Sequence, residues 1–241
     1  IVHWEGVDEA DVEQTGDTKF IEVFPKSILN RVTSADLHME WSLNPYQGCE
    51  HGCAYCYARP THEYWGYGAG LDFERVVLVK RNAPDLLEAA LRKPSWDVGT
   101  ITLRGNTDCY QPVERKLAIT RRLLEVALRF RQPVDLITKN ALVLRDLDIL
   151  AEMASMRLAG VAISLTTLKE GLRRIMEPRT SSPSNRLKAM EALSKAGVPV
   201  QVMVAPVIPG LNDSEVPALL RAAADAGAVR AGYTILRTNG P

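Results

Sequence analysis

The sequence lacks any apolar run approaching the ~20 residues that a membrane-spanning helix needs, so no such span is expected. Its first residues, Ile1 to Asp11, lack the basic and then apolar order of a secretory signal. They also lack a methionine, so an upstream start is expected, and so is a continuation past Thr238-Asn239-Gly240-Pro241. An excess of one charge is missing. Lys plus Arg and Asp plus Glu both total 29, which gives no long-range pull toward nucleic acid or an anionic membrane. Internal repeats and low-complexity tracts are absent. Cysteine is scarce, and it is not spread out. A disulfide framework distributes its cysteines to close long loops. Here Cys49, Cys53 and Cys56 fall within eight residues and leave only Cys109 elsewhere. Such clustering fits metal binding in a reducing compartment, expected to be the cytoplasm.

What remains is ordinary globular material. Hydrophobic residues make up 46% and charged residues 24%, enough for one large α/β domain or two small ones. Residues 1–38 show no clear periodicity and read as an N-terminal extension with one strand candidate near Phe20 to Phe24. Residues 39–241 are expected to form one domain.

From residue 39 the pattern becomes regular. Strands are expected over His38–Leu43, Asp97–Leu103, Val134–Thr138, Val161–Leu165, Val198–Val207 and Val229–Leu236. Helices are expected over Leu117–Phe130, Leu144–Ala154 and Arg186–Ala196, and from Asn212 to near Gly227. In the first of these, Ile119, Leu123, Val126, Ala127 and Phe130 share one face, and Arg121, Arg122, Glu125 and Arg129 the other. Asn212 and Glu215 have the spacing of a capping box. Residues 61–94 are less regular, with Gly66, Gly68 and Gly70, a strand-like Arg75–Val79 and a short helix near Pro84. Apolar strands alternating with amphipathic helices imply a parallel sheet covered by helices. Periodicity leaves open whether that sheet curls into a barrel.

The central feature is Asn44-Pro45-Tyr46-Gln47-Gly48-Cys49-Glu50-His51-Gly52-Cys53-Ala54-Tyr55-Cys56-Tyr57, with spacing C-x3-C-x2-C. A [4Fe–4S] cube normally places each iron on one cysteine thiolate. Three cysteines leave one iron open to a small molecule. Two other metal readings use the same residues. Zinc could take three thiolates plus His51 or His62. A four-cysteine ferredoxin-type site could use Cys109.

At this loop the sequence resembles the radical S-adenosylmethionine superfamily, whose pattern is C-x3-C-x-aromatic-C, with Tyr55 as the aromatic. More narrowly, Asn44 to Cys49 and Cys56-Tyr57-Ala58-Arg59-Pro60-Thr61-His62-Glu63-Tyr64 resemble the branch grouped with spore photoproduct lyase and labelled DNA repair photolyase-like. Thr107-Asp108-Cys109-Tyr110-Gln111-Pro112 and Glu177-Pro178-Arg179 fit that branch too. The resemblance covers roughly residues 39–236. It implies an α/β fold, a partial (β/α)6 TIM-type barrel with parallel strands and with the cluster above the C-terminal strand ends. It implies a [4Fe–4S] cluster held by Cys49, Cys53 and Cys56, with S-adenosylmethionine chelating the open iron. An electron from a flavodoxin or ferredoxin would cleave that cofactor to methionine and a 5′-deoxyadenosyl radical, which takes hydrogen from substrate.

Polar residues at parallel-strand ends are the natural cofactor contacts. Gly105, Asn106 and Thr107 occupy the position that binds the methionine amino group in the superfamily, although the usual Gly-Gly-Glu is missing. Lys139 could pair with the methionine carboxylate. Ser164, with Thr166 beside it, matches the ribose contact. The run through Pro206 could hold adenine. Cys109 resembles the cysteine that donates hydrogen in spore photoproduct lyase, but it also fits as a small buried hydrophobe. Tyr110 could relay a radical or pack. Asp108 and Glu114 could orient substrate or cap a helix. Tyr55, Tyr57, Tyr64, Trp65 and Tyr67 with Arg59 could stack on bases or pack around the loop. Arg173, Arg174 and Arg179 read most simply as a solvated helix face, with Arg179 a candidate for lining the cleft.

The expected function is a radical S-adenosylmethionine enzyme of unidentified substrate, with damaged nucleic acid, a peptide and a small metabolite all left open. The neutral charge argues mildly against duplex DNA. The alternative is a non-enzymatic iron–sulfur electron carrier or redox-responsive regulator, which should not bind S-adenosylmethionine.

Overall fold

Six parallel strands in sequential spatial order form the main sheet, and each step from one to the next carries helix on its outside. The computed structural model describes residues 18–33 and 39–237. The readings of Ile1–Asp11, of His38 and of Thr238–Pro241 lie outside the described residues.

The chain begins with β1 (Lys19–Glu22) and β2 (Leu29–Arg31), continues with β3 (Trp41–Leu43), and turns at Asn44-Pro45 into β4 (Tyr46–Gln47). After the cysteine loop come a 3-10 helix over Arg59–Trp65, the single turn α1 (Asp72–Arg75), β5 (Val76–Val79) and α2 (Ala83–Leu91). The regular part follows as β6 (Ile101–Leu103), α3 (Glu114–Leu117), α4 (Ile119–Phe130), β7 (Val134–Thr138), α5 (Leu147–Ser155) and β8 (Ala159–Ser164). It ends with α6 (Glu170–Met176), α7 (Pro183–Lys195), β9 (Val200–Val207), α8 (Val216–Asp225) and β10 (Arg230–Ile235).

The large sheet has the order β10-β9-β8-β7-β6-β3-β2. All its pairings are parallel except β2 with β3. β10 and β2 are the two edges, so the sheet does not close on itself. This is the expected partial barrel of parallel strands. A second sheet, β1-β5-β4, sits beside its first strand, and β1 and β2 bring residues of the segment 1–38 into both sheets.

Burial explains the layering. β6 and β8 are apolar and covered on both faces, whereas β10, at the rim, is largely exposed. The face of α4 with Ile119, Leu123, Val126 and Ala127 is buried, and each large side chain there contributes roughly 1.5–3 kcal/mol. Leu43, Leu136, Leu150, Ile163 and Val202 join the same core.

Four expectations need correction. The helix expected over Leu117–Phe130 breaks at Ala118, which takes a left-handed φ of 50°. The break is held because the Glu114 carboxylate accepts N–H donations from Ile119 and Thr120, both at 3.0 Å, and so caps α4 itself. The strand expected from Asp97 starts at Ile101, because β3 offers only three residues to pair with. Asn212 and Glu215 form no capping box. The Asn212 amide instead donates to the Thr166 carbonyl at 2.8 Å and the Pro206 carbonyl at 3.0 Å, tying two strand ends together. Glu215 instead accepts from Thr167 at 2.9 Å and from the Leu168 N–H at 3.0 Å. Finally, Arg173 is buried rather than solvated and donates to the carbonyls of Glu177, Pro178 and Thr180.

Candidate functional site

The cysteine loop leaves the C-terminal end of β3 and is fastened on three sides. On the first, Asn44 Oδ1 accepts from the Asn106 N–H at 3.3 Å, and Thr107 Oγ1 donates to the Gly48 carbonyl at 3.0 Å. Gln111 bridges the two segments. Its amide donates to Gly48 at 3.2 Å and to Thr107 at 2.8 Å, and its oxygen accepts from the Glu50 N–H at 3.0 Å. The Tyr57 hydroxyl donates to the Gly105 carbonyl at 2.6 Å.

On the second side, the Ala54 N–H donates to the Met176 carbonyl at 2.9 Å, and Arg179 donates to the Glu50 carbonyl and pairs with Glu74. On the third, the Cys49 N–H donates to the Phe73 carbonyl at 2.8 Å, and Arg59 Nη2 to the Cys53 carbonyl at 3.0 Å. Two glycines permit this close fit. Gly48 and Gly52 have φ of 82° and 64°, and a Cβ would collide with the Val76 carbonyl at the first and with Arg179 at the second.

All three loop cysteines are free; Cys49 and Cys53 are buried and Cys56 half-buried. Burial pushes the Cys49 thiol up to about 12 and raises Cys53 and Cys56. Counteracting influences are already in place. Backbone N–H groups of Asp108 and His51 favour the Cys49 thiolate, those of Ala58 and Arg59 favour the Cys56 thiolate, and Lys139 favours both Cys53 and Cys56. A metal-bound thiolate would meet hydrogen-bond donors and a cation, the features that tune iron–sulfur clusters. The donor set therefore fits a cluster with three protein ligands.

Among the described residues no three His, Cys, Asp or Glu side chains converge as a single metal ion requires. A cube needs no such convergence, because it takes one thiolate per iron. The zinc reading finds no tetrahedral set. His51 faces Asp108 at 3.4 Å and Asn140 at 3.5 Å, and burial lowers its pKa to about 4. His62 is buried between Tyr67 and Phe73.

The strand ends face this loop. Gly105, Asn106 and Thr107 follow β6 and contact it directly, as above. Lys139 directly follows β7, with its ammonium 5.8 Å from the centre of the Tyr55 ring. Burial pulls the Lys139 pKa down, but Cys53, Glu177 and Asp108 outweigh that and leave it raised. Ser164 ends β8, and its carbonyl accepts from Arg186 at 2.9 Å. Thr166 donates to Glu177 at 2.9 Å. Pro206 lies buried in β9 after a cis peptide bond.

Cys109 and Tyr110 sit differently. Both belong to the main hydrophobic core, at 1% and 0% exposure, and the Tyr110 hydroxyl donates to Asp146 at 3.0 Å. Asp108 is the polar member of that trio. It accepts from Thr138 and from the Lys139 N–H, both at 2.8 Å, so it ties β7 to the loop after β6.

The sequence reading passed over Glu177 and Arg186 as site residues. Glu177 is fully buried and accepts from Tyr55, Thr166 and Arg186. Burial alone would raise its pKa, but Arg186, Lys139 and the Tyr55 hydrogen bond hold it at about 2. The tripeptide Glu177-Pro178-Arg179 was its only signal.

A family model described as the radical SAM superfamily matches residues 43–223. The chain belongs to the radical SAM superfamily. Curated relatives of this superfamily member include an uncharacterized protein of Mycobacterium tuberculosis, 41% identical over 196 residues, covering 81% of this chain and 58% of the relative. Another, from Methanocaldococcus jannaschii, is 31% identical over 176 residues and covers 73% and 63%. The chain thus spans less than two thirds of these relatives' lengths. Among solved structures, a spore photoproduct lyase double mutant with bound AdoMet and dinucleoside spore photoproduct superposes with TM-score 0.67 at 16% identity. It covers 92% of this chain and 63% of that one. Streptococcus suis SuiB bound to S-adenosylmethionine gives TM-score 0.59 at 15% identity, covering 83% and 41%. At these identities the likeness concerns the fold. Among the described residues no helix is long and apolar enough to cross a membrane.

Proposed function

We propose that this radical SAM protein is an enzyme that binds a [4Fe–4S] cluster through Cys49, Cys53 and Cys56 and S-adenosylmethionine at the open iron. The observation that carries the reading is the loop of three free thiols, already supplied with N–H donors and a cation, fastened to the C-terminal ends of parallel strands. When bound, the pair of cofactors supplies one-electron cleavage to a 5′-deoxyadenosyl radical.

The chain's own residues hold and orient. Lys139 offers a cation to the methionine carboxylate, and the loop Gly105-Asn106-Thr107 offers backbone and side-chain oxygens to its amino group. Ser164, Thr166 and Pro206 would serve the ribose and adenine, and Tyr55 would stand beside them next to Cys56. Cys109 and Tyr110 are proposed to serve as a hydrogen-donor and relay pair behind the loop.

The proposed reductant is a flavodoxin or ferredoxin, in a reducing compartment such as the cytoplasm, in keeping with four free cysteines. The proposed substrate class is damaged nucleic acid, single-stranded or flipped. Exposed Tyr64 and Trp65 beside the loop support it, as does the likeness in fold to a lyase holding a dinucleoside photoproduct.

The test is anaerobic reconstitution with iron and sulfide, followed by dithionite and S-adenosylmethionine, reading 5′-deoxyadenosine by chromatography. Product is expected from the wild type and none from Cys53→Ala. A full four-iron cluster without product would move the assignment to an electron carrier or redox-responsive regulator.

A further inference from the structure

The proposed chemistry leaves one buried group unexplained. Glu177 and Arg186 form an ion pair at 0% and 1% side-chain exposure. Such a pair contributes little net stability over apolar residues of the same volume. Its partners suggest another task.

One Glu177 oxygen accepts from the Tyr55 hydroxyl, on the cysteine loop next to Cys56, and from Thr166 Oγ1 at 2.9 Å, just beyond β8. The other oxygen meets Arg186. Arg186 in turn donates from Nη1 to the Ser164 carbonyl at 2.9 Å and from Nε to the Ser181 carbonyl at 2.8 Å. A single pair thus joins the cysteine loop, the end of β8 and the segment after α6. The Lys139 ammonium adds the end of β7 by lying over the Tyr55 ring. Every polar atom Glu177 presents is taken up within the protein, and a fully satisfied buried network of this kind is rigid. Rigidity matters where a ligand binds, because ordering a loop and a ring at the moment of binding weakens affinity.

We propose that Glu177 and Arg186 are positioning residues that set the Tyr55 ring and the end of β8 against the cysteine loop, so that S-adenosylmethionine meets a preformed cleft. This inference rests on the cofactor reading above. It predicts that the pair matters to cofactor affinity more than to folding.

The experiment measures S-adenosylmethionine binding to the reconstituted protein by equilibrium dialysis, with iron content and apoprotein melting recorded in parallel. The variants are Tyr55→Phe, which keeps the ion pair, and the joint Glu177→Met with Arg186→Met, which removes both charges and leaves none unpaired. A second readout uses the apoprotein alone. After labelling with 3-fluorotyrosine, the Tyr55 fluorine resonance, assigned by its loss in Tyr55→Phe, is expected to be single and sharp in the wild type. It should broaden or split in the joint variant.

The expected result is affinity about tenfold weaker in both variants at unchanged iron content, equivalent to about 1.4 kcal/mol of binding. Affinity within about twofold of wild type in a folded, cluster-loaded joint variant would overturn the proposal and leave the cofactor reading standing. A wild-type protein with a full cluster that binds no S-adenosylmethionine would overturn both.

Discussion

Two buried networks in this protein are both built around tyrosine, carboxylate and arginine, and they behave in opposite ways. Behind β6, Tyr46 donates to Glu114, which pairs with Arg145, while Tyr110 donates to Asp146, which pairs with the same Arg145. Beside the cysteine loop, Tyr55 donates to Glu177, which pairs with Arg186. The difference lies in the count of charges. Two carboxylates share Arg145, with help from Arg121 at the edge, so burial prevails and the Glu114 pKa is raised. Glu177 faces two cations, Arg186 and Lys139, and its carboxyl is held at about 2. The first network closes the core. Glu114 caps α4 and spans from β4 to the residues before α5. The second closes the site. One chemical vocabulary serves stability in one place and positioning in the other.

The largest expected effect breaks the first network. Glu114→Ala removes the cap of α4, strands the Tyr46 hydroxyl and leaves Arg145 with one partner fewer. It should destabilise the protein by about 3–5 kcal/mol, read as the loss in denaturant unfolding. A loss under about 1 kcal/mol would show that the network is slack.

The next comparison pits the two tyrosines against each other. Tyr46→Phe should cost about 1.5–3 kcal/mol of apoprotein stability, because its hydroxyl is fully buried on a carboxylate, and it should leave S-adenosylmethionine affinity unchanged. Tyr55→Phe should show the reverse. Tyr55 is half-buried, so water can reach Glu177 when the hydroxyl is gone, and stability should fall by less than about 1 kcal/mol while affinity drops. Equal losses in both variants would erase the distinction drawn above.

The smallest effect concerns the kink that carries β3 into β4. The Lys80 ammonium donates to the Asn44 carbonyl at 2.9 Å, and burial lowers its pKa from 10.5 to about 8. Between those values the unfolded chain holds a proton that the folded chain has released. Stability from this group therefore rises as pH climbs from 8 to 10.5. Lys80→Met removes that contribution. The wild type should gain roughly 1–2 kcal/mol on the variant between pH 8 and pH 10, measured by paired urea titrations. A pH-independent difference would place the Lys80 head in solvent.

Much of this was legible in the chain. The three-cysteine spacing and the alternation of apolar strands with amphipathic helices are local patterns, and α/β layering follows from them because each apolar face must be covered. Val134–Thr138 was read residue for residue because its burial alternates as a strand's should. Other features escaped for physical reasons. Nothing local in Leu117–Phe130 announces the break at Ala118, since the group that holds it, the Glu114 carboxylate, acts through space. Asn212 and Glu215 match a capping box in spacing but spend their side chains on the strand ends of β8 and β9.

The sequence by itself determined the three-cysteine spacing and the parallel α/β frame that presents it, because both are written in short-range patterns. Only the tertiary structure decided which charges meet. Glu177 and Arg186 are nine positions apart on different elements, and Tyr55 lies 122 positions before Glu177. Burial and neighbouring charges set whether such a carboxylate is held ionised or pushed toward its acid, and those depend on packing from across the chain.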